Sequence, residues 1–583
     1  MPQSNDEVAA LLQEYADLLE ISGGDQFRAR NYEKAAKSVA GYAGDVSQLD
    51  AAALRKIPGV GTSIAAKIIE LGQTGTIGAV EELRAKIPDG VRELTRIPAL
   101  GPKRAFQLYS ELGVGSVDDL AAAIDQGRLR DLRGFGSRSE DKLKRGIELA
   151  GSLGQRAPIH VASDVADAIV AAVSVVPGCE RCEPAGSLRR MRDTIGDVDV
   201  LVAASGDSGP FMSVLTELPE VTEVIASGPT KTSVRVPTGT GGSIQVDLRV
   251  IEPRCWGAAM LYFTGAQAHN VAVREIAVRK GLKLSEYGLF DAETGELIVS
   301  QTEQEVYARL DMQWVPPPLR EDAGEVRAAL SGEIPALVEI SDLRGDLHTH
   351  TNLTDGVGTL EEMVAAARAR GYEYFAITDH APNLFMQRMT TDKMLAQRDE
   401  VHKLEARLAS GGGPAMTLLH GTELNIAPDG TVDWPLEVLA GFDVCVASVH
   451  SHFDLPRAEM TRRFVRACEN PRVNIIGHPT ARRIGKRPPV DMDLAEVFRA
   501  CARTGTALEI NSHPERLDLP SDHIRAAKQA GVKFAVDTDS HAVGHMDFLR
   551  YGVGTAQRGW LTADDVINTW PLDRLRYFLA KSG

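Results

Sequence analysis

After residue 340 short apolar runs alternate with helical segments, and most of the runs stop at a histidine or an acidic residue. Three such runs are 374–377, 473–476 and 532–536, each followed closely by a histidine. Strands separated by helices favour a parallel α/β barrel or sheet. The carboxyl ends of parallel strands meet at one edge, which is where barrel active sites are built. The pattern therefore predicts one polar site at that edge.

The polar residues at these positions are typical metal ligands. His348 and His350 lie two apart, so on a strand they share a face and can bind one ion. One histidine after a strand is more often part of a capped turn, but five segments that repeat the placement indicate a metal site. A tetrahedral ion needs four ligands, and nine candidates indicate two or three ions. The mixture of histidine with carboxylates suits Zn²⁺ or Mn²⁺ better than Ca²⁺.

The order of these motifs is H-x-H, D-G, D-H, E, H, G-H-P and D-x-H, from about residue 343 to 575. It resembles the polymerase-and-histidinol-phosphatase (PHP) domain. The resemblance implies a distorted (β/α)7 barrel and metal-dependent phosphoester hydrolysis. His452 and His513 fall outside the pattern and are expected to lie behind the ligands or at the surface. The implied ligands are His348, His350, Asp355, His380, Glu423, His450, His478, Asp539 and His541.

Residues 1–150 have the apolar spacing of helices, and within them one hairpin unit recurs three times, at 57–61, 97–101 and 132–136. Each copy precedes a helical segment that contains Lys or Arg. Glycine lets a backbone approach a phosphate, and a helix N-terminus favours its negative charge. One copy would be only a tight turn, but three copies favour DNA binding. The middle copy has Ala99 in place of its first glycine. The units resemble helix-hairpin-helix motifs.

Residues 160–315, between the hairpin region and the PHP-like region, contain a set of three aspartates. Asp197 and Asp199 lie two apart in an apolar run and would share one face of a strand. Asp247, in a second apolar run, is expected on a neighbouring strand. Two carboxylates on one strand can hold two divalent ions for phosphoryl transfer. By itself a D-x-D sequence is weak evidence, because it is common at solvated strand edges.

The surroundings of the aspartates are more specific. G-S-L-R-R at 186–190, V-D-L-R at 246–249, L-Y-F-T-G at 261–265 and the run 281–288 occur in order. Together with the hairpins, they resemble DNA polymerase beta and its bacterial relatives, the family X polymerases, over residues 1–315. The resemblance implies a nucleotidyltransferase palm and thumb.

This resemblance also implies roles for individual residues. Asp197, Asp199 and Asp247 would bind the catalytic Mg²⁺ or Mn²⁺ ions, and Asp247 would activate the primer 3′-hydroxyl. The expected nucleotide-binding residues are Ser187 and Arg190 at the triphosphate, Tyr262 and Phe263 beside the sugar, Asn270 and Arg274 near the base pair and template, and Gly265. Either Tyr262 or Phe263 could instead pack in the apolar core. The expected DNA-binding residues are Gly59, Gly61, Lys67, Gly101, Lys103, Gly134 and Gly136.

Lys67 also matches the family's lysine nucleophile for removing a 5′-deoxyribose phosphate. A lysine must be desolvated or crowded by positive charge to react. Ser63 stands where the vertebrate enzyme has a further lysine, so basic support is thin. Both a lyase role and simple backbone binding are open for Lys67.

Composition limits the partners and the kinds of site that the chain can be expected to have. The formal charge of −16 argues mildly against nucleic acid, although basic and acidic residues are nearly balanced in 1–150. Six scattered cysteines do not make a disulfide framework, and Cys179 and Cys182 lack the partners of a zinc site. No apolar run reaches the ~20 residues of a membrane span. We expect no membrane association, and a cytoplasmic location since the N-terminus does not resemble a signal peptide.

We therefore predict a multidomain α+β protein. Its expected parts are a helical lyase-like domain (1–90), a fingers-like region (91–150), palm and thumb (151–318), a linker (319–342) and the PHP barrel (343–583). The predicted function is gap filling in DNA repair, with deoxynucleoside triphosphates and gapped or primed DNA as substrates, coupled to 3′–5′ exonuclease or 3′-end processing. A monomer suffices. The alternatives are a small-molecule phosphatase and a DNA-binding scaffold with a decayed polymerase site.

Overall fold

The structure is a computed structural model. It describes residues 5–22, 26–42, 45–95, 97, 100–130, 132, 134–153, 156–238, 242–384, 389–410 and 416–581. Among these residues, no helix has the length and apolar character needed to cross a membrane.

The N-terminal region is helical, as predicted. A single apolar cluster runs from Val8 to Leu143, so the segments 1–90 and 91–150 share one core. Short helices precede and follow each hairpin. The helices are α1 Asn5–Ile21, α2 Gln26–Ala40, α3 Ala51–Leu54, α4 Thr62–Thr74, α5 Gly78–Arg84, α6 Asp89–Leu94, α7 Pro102–Leu112, α8 Val117–Asp125 and α9 Ser137–Leu153.

The palm is a five-stranded sheet flanked by helices, with strand order β2-β4-β7-β6-β5. Strands β4 and β7 are parallel, and their neighbours are antiparallel. The elements are β1 Ala157–Pro158, α10 Ile159–Ser174, β2 Cys179–Pro184, α11 Gly186–Arg189, β3 Thr194–Ile195, β4 Asp197–Ala204, α12 Gly209–Glu217, β5 Glu223–Ser227, β6 Lys231–Thr238 and β7 Gly242–Ile251.

The thumb follows as helices around a small antiparallel sheet. Its elements are α13 Trp256–Thr264, α14 Gln267–Arg279, β8 Leu282–Ser285, β9 Gly288–Asp291, β10 Leu297–Val299, α15 Glu303–Arg309 and α16 Glu325–Ser331. Helix α16 lies in the segment 319–342 that we predicted as a linker. Its Ala328 and Ala329, with Ile334, belong to the apolar core of the thumb, so part of that segment is packed.

The C-terminal region forms seven parallel strands in sequential order, β11 to β17. The strands are β11 Gly345–Asp346, β12 Tyr374–Ile377, β13 Thr417–Asn425, β14 Val444–Ser448, β15 Ile475–Ile476, β16 Ala507–Asn511 and β17 Phe534–Asp537. The helices are α17 Leu360–Ala369, α18 Thr391–Ser410, α19 Leu436–Leu439, α20 Arg457–Cys468, α21 Leu494–Thr504, α22 Ser521–Gln529, α23 Leu549–Arg558 and α24 Leu572–Leu579.

The seven-stranded sheet curls until its first and last strands meet. Beyond β11 and β17, His350 N donates to Ser540 O at 2.8 Å. Nearer the strands, Leu347 N donates to Asp537 Oδ1 at 2.9 Å. This confirms the predicted (β/α)7 barrel. Residues that alternate along each strand face either the interior or the surrounding helices.

The barrel and the palm are in direct contact. Leu517 and Tyr551 of the barrel are buried in the apolar cluster of the palm. Across the same boundary, Arg482 Nη2 lies 2.8 Å from Asp193 Oδ2. The two predicted catalytic regions are therefore packed against each other.

Two candidate metal centres

The three predicted aspartates lie together at one end of the palm sheet. Asp199 on β4 is the register partner of Asp247 on β7. Carboxylate oxygens of Asp197, Asp199 and Asp247 come within 4.8 Å of one another. The alternate residues Val198 and Val200 are fully buried, as the period of two requires.

The charges of the triad depend on each other. Burial raises the pKa of Asp199 to about 7, and repulsion from Asp197 and Asp247 adds to the effect. Burial acts the same way on Asp247, but hydrogen bonds from Lys231, Ser233 and Gln245 outweigh it and lower its pKa. Lys231 Nζ lies 2.5 Å from Asp247 Oδ2. A divalent cation would relieve the repulsion, so these carboxylates fit a metal centre.

The G-S-L-R-R segment begins beside the triad. Gly186 has a φ of +61°, and a Cβ there would overlap the Asp199 carboxylate, so only glycine allows this approach. Ser187 Oγ is buried and has no hydrogen-bond partner among the described residues. Arg190 donates to Thr264 O at 2.7 Å and to Glu321 Oε1 at 3.0 Å. The two predicted triphosphate ligands thus differ. Ser187 Oγ has no hydrogen-bond partner among the described residues, whereas Arg190 already donates to Thr264 and Glu321.

The predicted sugar and base contacts lie at the start of the thumb. The Tyr262 and Phe263 rings pack edge to face at 5.0 Å. Phe263 packs against the apolar cluster around Trp256, and Arg249 lies 4.5 Å above its ring, so Phe263 is the one of the pair with core contacts. Asn270 Nδ2 donates to Tyr262 O at 2.6 Å.

Gly265 follows α13 as its cap, and Arg274 is exposed on α14. Arg274 Nε donates to Asn270 O at 3.3 Å. His269, next to Asn270, is fully buried, between Glu325 Oε1 at 2.6 Å and the Tyr307 hydroxyl at 2.8 Å. This histidine therefore ties the thumb helices together.

The hairpin glycines stand at helix starts. Gly61 and Gly101 cap α4 and α7, and an added Cβ at either would meet no atom within 4 Å. Gly59 and Gly134 have φ of +82° and +92° and make the turns. Gly136 O accepts from Ser139 N at 2.7 Å at the start of α9. Pro98, Ala99 and Arg133 of the hairpins lie outside the described residues.

The two predicted DNA-binding lysines differ in surroundings. Lys103 is exposed in the first turn of α7. Lys67 is half-buried on α4, and its Nζ lies 5.5 Å above the Tyr15 ring. Ser63 Oγ lies 3.3 Å from the Tyr32 hydroxyl.

The nine predicted PHP ligands converge at the carboxyl end of the barrel. Their ligand atoms form three overlapping groups, each within 4.8 Å. The groups are His350, Asp355, His380 and His541; His348, His350 and Asp539; and His380, Glu423 and His450. His478 adjoins the last group, with Nε2 3.1 Å from Glu423 Oε1. His350 and His380 each belong to two of the groups, so the ligand atoms form one continuous cluster.

Glu423 is the central carboxylate. Its Oε2 lies 2.8 Å from His380 Nδ1, and its Oε1 lies 3.1 Å from His450 Nε2. Burial raises the pKa of Glu423, but the surrounding histidines lower it well below its usual range. The same kind of balance, with burial opposed by carboxylates, raises the pKa of His380 to about 10. Glu423 therefore lies among groups of opposite charge.

The cluster fits divalent cations. His348 Nε2 and both ring nitrogens of His350 are buried and have no hydrogen-bond partner among the described residues. A buried polar atom without a partner is costly unless something else satisfies it. A cation shared with Asp539 and Glu423 would satisfy them, and imidazole with carboxylate suits Zn²⁺ or Mn²⁺.

Two residues that orient these ligands were not predicted from the sequence. Glu509 is fully buried on β16, and its Oε1 lies 2.5 Å from His348 Nδ1. Asn425 Oδ1 lies 2.7 Å from His450 Nδ1. Such partners fix the ring orientation of metal-binding histidines. The signal for Glu509 was a carboxylate in the apolar run 507–510.

The two histidines outside the motif pattern lie apart from the three ligand groups. His452 is exposed, and its Nδ1 lies 3.0 Å from Ser451 Oγ. His513 packs against the His545 and Phe548 rings.

Four known families match separate segments of the chain. Residues 3–77 match a helix-hairpin-helix domain, and residues 91–148 match a SAM-like helix-hairpin-helix tandem. Residues 259–321 match the DNA polymerase beta thumb, and residues 346–513 match the PHP domain. A curated relative from Bacillus subtilis (strain 168), DNA polymerase/3′-5′ exonuclease PolX, is 34% identical over 577 residues, covering 99% of each chain.

The chain belongs to the PolX family.

Two further relatives each match part of this PolX chain. DNA polymerase lambda of Rattus norvegicus is 27% identical over 323 residues, 51% of this chain and 53% of its own. A probable phosphatase of Acetivibrio thermocellus is 30% identical over 214 residues, 35% of this chain and 82% of its own. Each of these two relatives matches about half of the chain or less, whereas the Bacillus relative matches 99% of it.

Proposed function

We propose that this chain is a DNA-directed DNA polymerase that fills short gaps during repair and processes 3′ ends with a PHP-domain 3′–5′ exonuclease. The observation that carries the proposal is the presence of two separate ligand clusters on one chain, the aspartate triad of the palm and the histidine cluster of the barrel. The full-length likeness to a relative named for both activities supports it.

In the palm, we propose that Asp197, Asp199 and Asp247 hold Mg²⁺ or Mn²⁺. Lys231 keeps Asp247 deprotonated, which lets Asp247 orient and deprotonate the primer 3′-hydroxyl. Ser187 Oγ, which lacks a partner, donates to the triphosphate of the incoming deoxynucleotide. Arg190 adds positive charge there and is held in place by Glu321. Tyr262 lies where it contacts the sugar.

In the barrel, we propose that the nine ligands hold two or three Mn²⁺ or Zn²⁺ ions. Glu509 holds the His348 ring and Asn425 holds the His450 ring, each through Nδ1, which leaves Nε2 of both rings for the cluster. At both centres, bound cations would supply charge neutralisation of the phosphate and a lowered pKa of the attacking hydroxyl or water. The chain's own groups supply the geometry.

A small-molecule phosphatase accounts for less of the molecule. The likeness to the probable phosphatase covers 35% of this chain and leaves the hairpins and the triad without a role. A scaffold with a decayed polymerase site would be expected to have lost metal carboxylates, but Asp197, Asp199 and Asp247 are all present and assembled.

The test uses a 5′-labelled primer in a short gap with a downstream 5′-phosphate, incubated with Mn²⁺ with and without deoxynucleoside triphosphates. We expect extension with nucleotides and shortening without them. Asp197→Asn with Asp199→Asn should abolish extension alone, and His348→Ala with His350→Ala should abolish shortening alone. Shortening without any extension would contradict the polymerase assignment. No change of the primer in either condition would favour the phosphatase.

We also propose a backbone-binding role for the hairpin glycines with Lys67 and Lys103, a monomeric state and a cytoplasmic location. A lyase role of Lys67 is tested by borohydride trapping on DNA with a 5′-deoxyribose phosphate. An adduct that persisted in Lys67→Ala would rule out Lys67 as the nucleophile. Size-exclusion chromatography with light scattering tests the monomer.

A further inference from the structure

Arg516 lies at the edge of the barrel's histidine cluster and was not identified from the sequence. Its Nε is 3.7 Å from Asp539 Oδ2, a distance too long for a hydrogen bond. Asn511 Nδ2 already donates to that same oxygen at 3.0 Å. Arg516 therefore borders Asp539, one of the predicted ligands.

The guanidinium of Arg516 is incompletely bonded. Its Nη1 is buried and has no hydrogen-bond partner among the described residues. The nearby carboxylates are engaged elsewhere. Asp518 accepts from Thr480 N and Oγ1 at about 3.0 Å, and Glu515 is paired with Arg483 and Lys486. Arg516, which borders the cluster through Asp539, thus has a buried donor without a partner, and leaving a donor of a charged group unsatisfied is costly.

The backbone of Arg516 is held firmly. Arg482 Nε donates to Arg516 O at 2.7 Å, and Arg482 Nη2 bonds to both Leu517 O and the palm residue Asp193. A side chain that acts on a substrate is most effective when its support is rigid. Arg482 spans the contact between palm and barrel, so that contact supports the placement of Arg516.

Asp539 lies beside both Arg516 and the cluster, but it leaves Nη1 of Arg516 without a partner that a further anion could supply. Arg is the residue whose planar donor fork matches two phosphate oxygens. We propose that Arg516 binds the non-bridging oxygens of the 3′-terminal phosphodiester of DNA that the PHP centre hydrolyses. This inference rests on the proposed exonuclease function. It assigns Arg516 as a substrate-binding residue and names the phosphate group it contacts.

The experiment compares the full-length protein with Arg516→Ala, Arg516→Lys and the control Arg462→Ala, an exposed arginine on α20. Primer shortening is measured with Mn²⁺ on a 5′-labelled strand. We expect kcat/KM to fall about 10- to 100-fold in Arg516→Ala, the range for loss of a hydrogen bond to a charged group. Arg516→Lys should fall less, and the control should match the unchanged chain.

Two further measurements separate substrate binding from support of the metal site. Bound Mn²⁺ per chain, measured by inductively coupled plasma mass spectrometry after gel filtration, should be unchanged in Arg516→Ala. Affinity of the Mn²⁺-loaded protein for thymidine 5′-monophosphate, measured by calorimetry, should fall. Lost Mn²⁺ in the variant would overturn the inference in favour of a structural role beside Asp539.

The outcomes for the inference and the proposed function are distinct. An unchanged chain that fails to shorten primers under these conditions contradicts the exonuclease function itself. Normal shortening by the unchanged chain together with equal kcat/KM and equal nucleotide affinity in Arg516→Ala overturns only the role of Arg516. Gap filling, which depends on the palm triad, should be the same in all four proteins.

Discussion

Replacing Asp199 with asparagine should make the metal-free protein more stable while removing its polymerase activity. Burial and two neighbouring aspartates raise the pKa of Asp199 from 3.8 to about 7 in the folded state. The carboxylate is therefore disfavoured in the fold whenever it is ionised. At 1.36 kcal/mol per pH unit, this shift corresponds to a destabilisation of about 4 kcal/mol above pH 7.

The sign of the pH dependence follows from the raised pKa. Below about pH 4 the group is protonated in both states and costs nothing. Between pH 4 and 7 the unfolded chain loses the proton first, so the free energy of unfolding falls as the pH rises. Asparagine at position 199 carries no charge, so the variant should lack this decline. Mg²⁺ should restore stability to the unchanged chain, because it favours the ionised triad, and should help the variant less.

Scanning calorimetry of the full chain in EDTA at pH 5.5 and pH 8 tests this, with and without added Mg²⁺. At pH 8 without metal, Asp199→Asn should unfold at a higher temperature than the unchanged chain, and the difference should shrink at pH 5.5. Glu217→Gln, an exposed carboxylate of the same domain, is the control and should behave like the unchanged chain. A variant that is equally or less stable at pH 8 would refute the reasoning, even if its synthesis activity is lost.

Three other substitutions give sharp expectations. Glu509→Gln should weaken Mn²⁺ binding in the barrel by about 10- to 100-fold, because the His348 ring loses the partner that orients it. Competition with a chelator measures this affinity, and gap filling should be unaffected. Glu303→Gln leaves the fully buried Arg320 unpaired and should cost about 3–5 kcal/mol in urea unfolding at pH 7. Burial raises the pKa of Glu303, but Arg320 and Arg189 lower it to about 2, so the stabilisation by Glu303 is present above about pH 4.5 and lost toward pH 2. Equal urea midpoints of the variant and the unchanged chain at pH 7 would contradict this expectation. Gly61→Ala should keep the melting temperature, since a Cβ there meets nothing within 4 Å, yet weaken gapped-DNA binding in fluorescence anisotropy at fixed salt; unchanged affinity would argue against a phosphate at this helix start.

The sequence by itself determined the features that depend on neighbours along the chain. A strand turns alternate side chains to one face, so Asp197 and Asp199 had to point together and Val198 and Val200 into the core. Glycines directly before a helix leave the first backbone N–H groups of that helix exposed. Apolar runs that end near a histidine or an acidic residue predicted a parallel α/β barrel or sheet with polar residues at one edge, and the seven strands in sequential order show that it is a barrel.

Only the tertiary structure decided which distant side chains touch. Glu509 is recognisable as a partner of His348 only once β16 lies near β11, because the two residues are 161 positions apart. Lys231 stabilises the charge of Asp247 through a strand pairing that the sequence does not specify. Arg516 is one of many arginines in the sequence, and its lack of a partner for Nη1 depends on where every nearby carboxylate already bonds.

The segment 319–342 shows the same difference between what the sequence determines and what the tertiary structure decides. Its proline-rich start is a boundary signal in the sequence, but whether such a segment stays free or packs depends on the surface available to it. Here the thumb offers an apolar surface to Ala328 and Ala329, and their burial stabilises helix α16 against it. Periodicity and backbone conformation are local and can be predicted from the chain, whereas burial and partner choice are set by the packing of segments far apart in sequence.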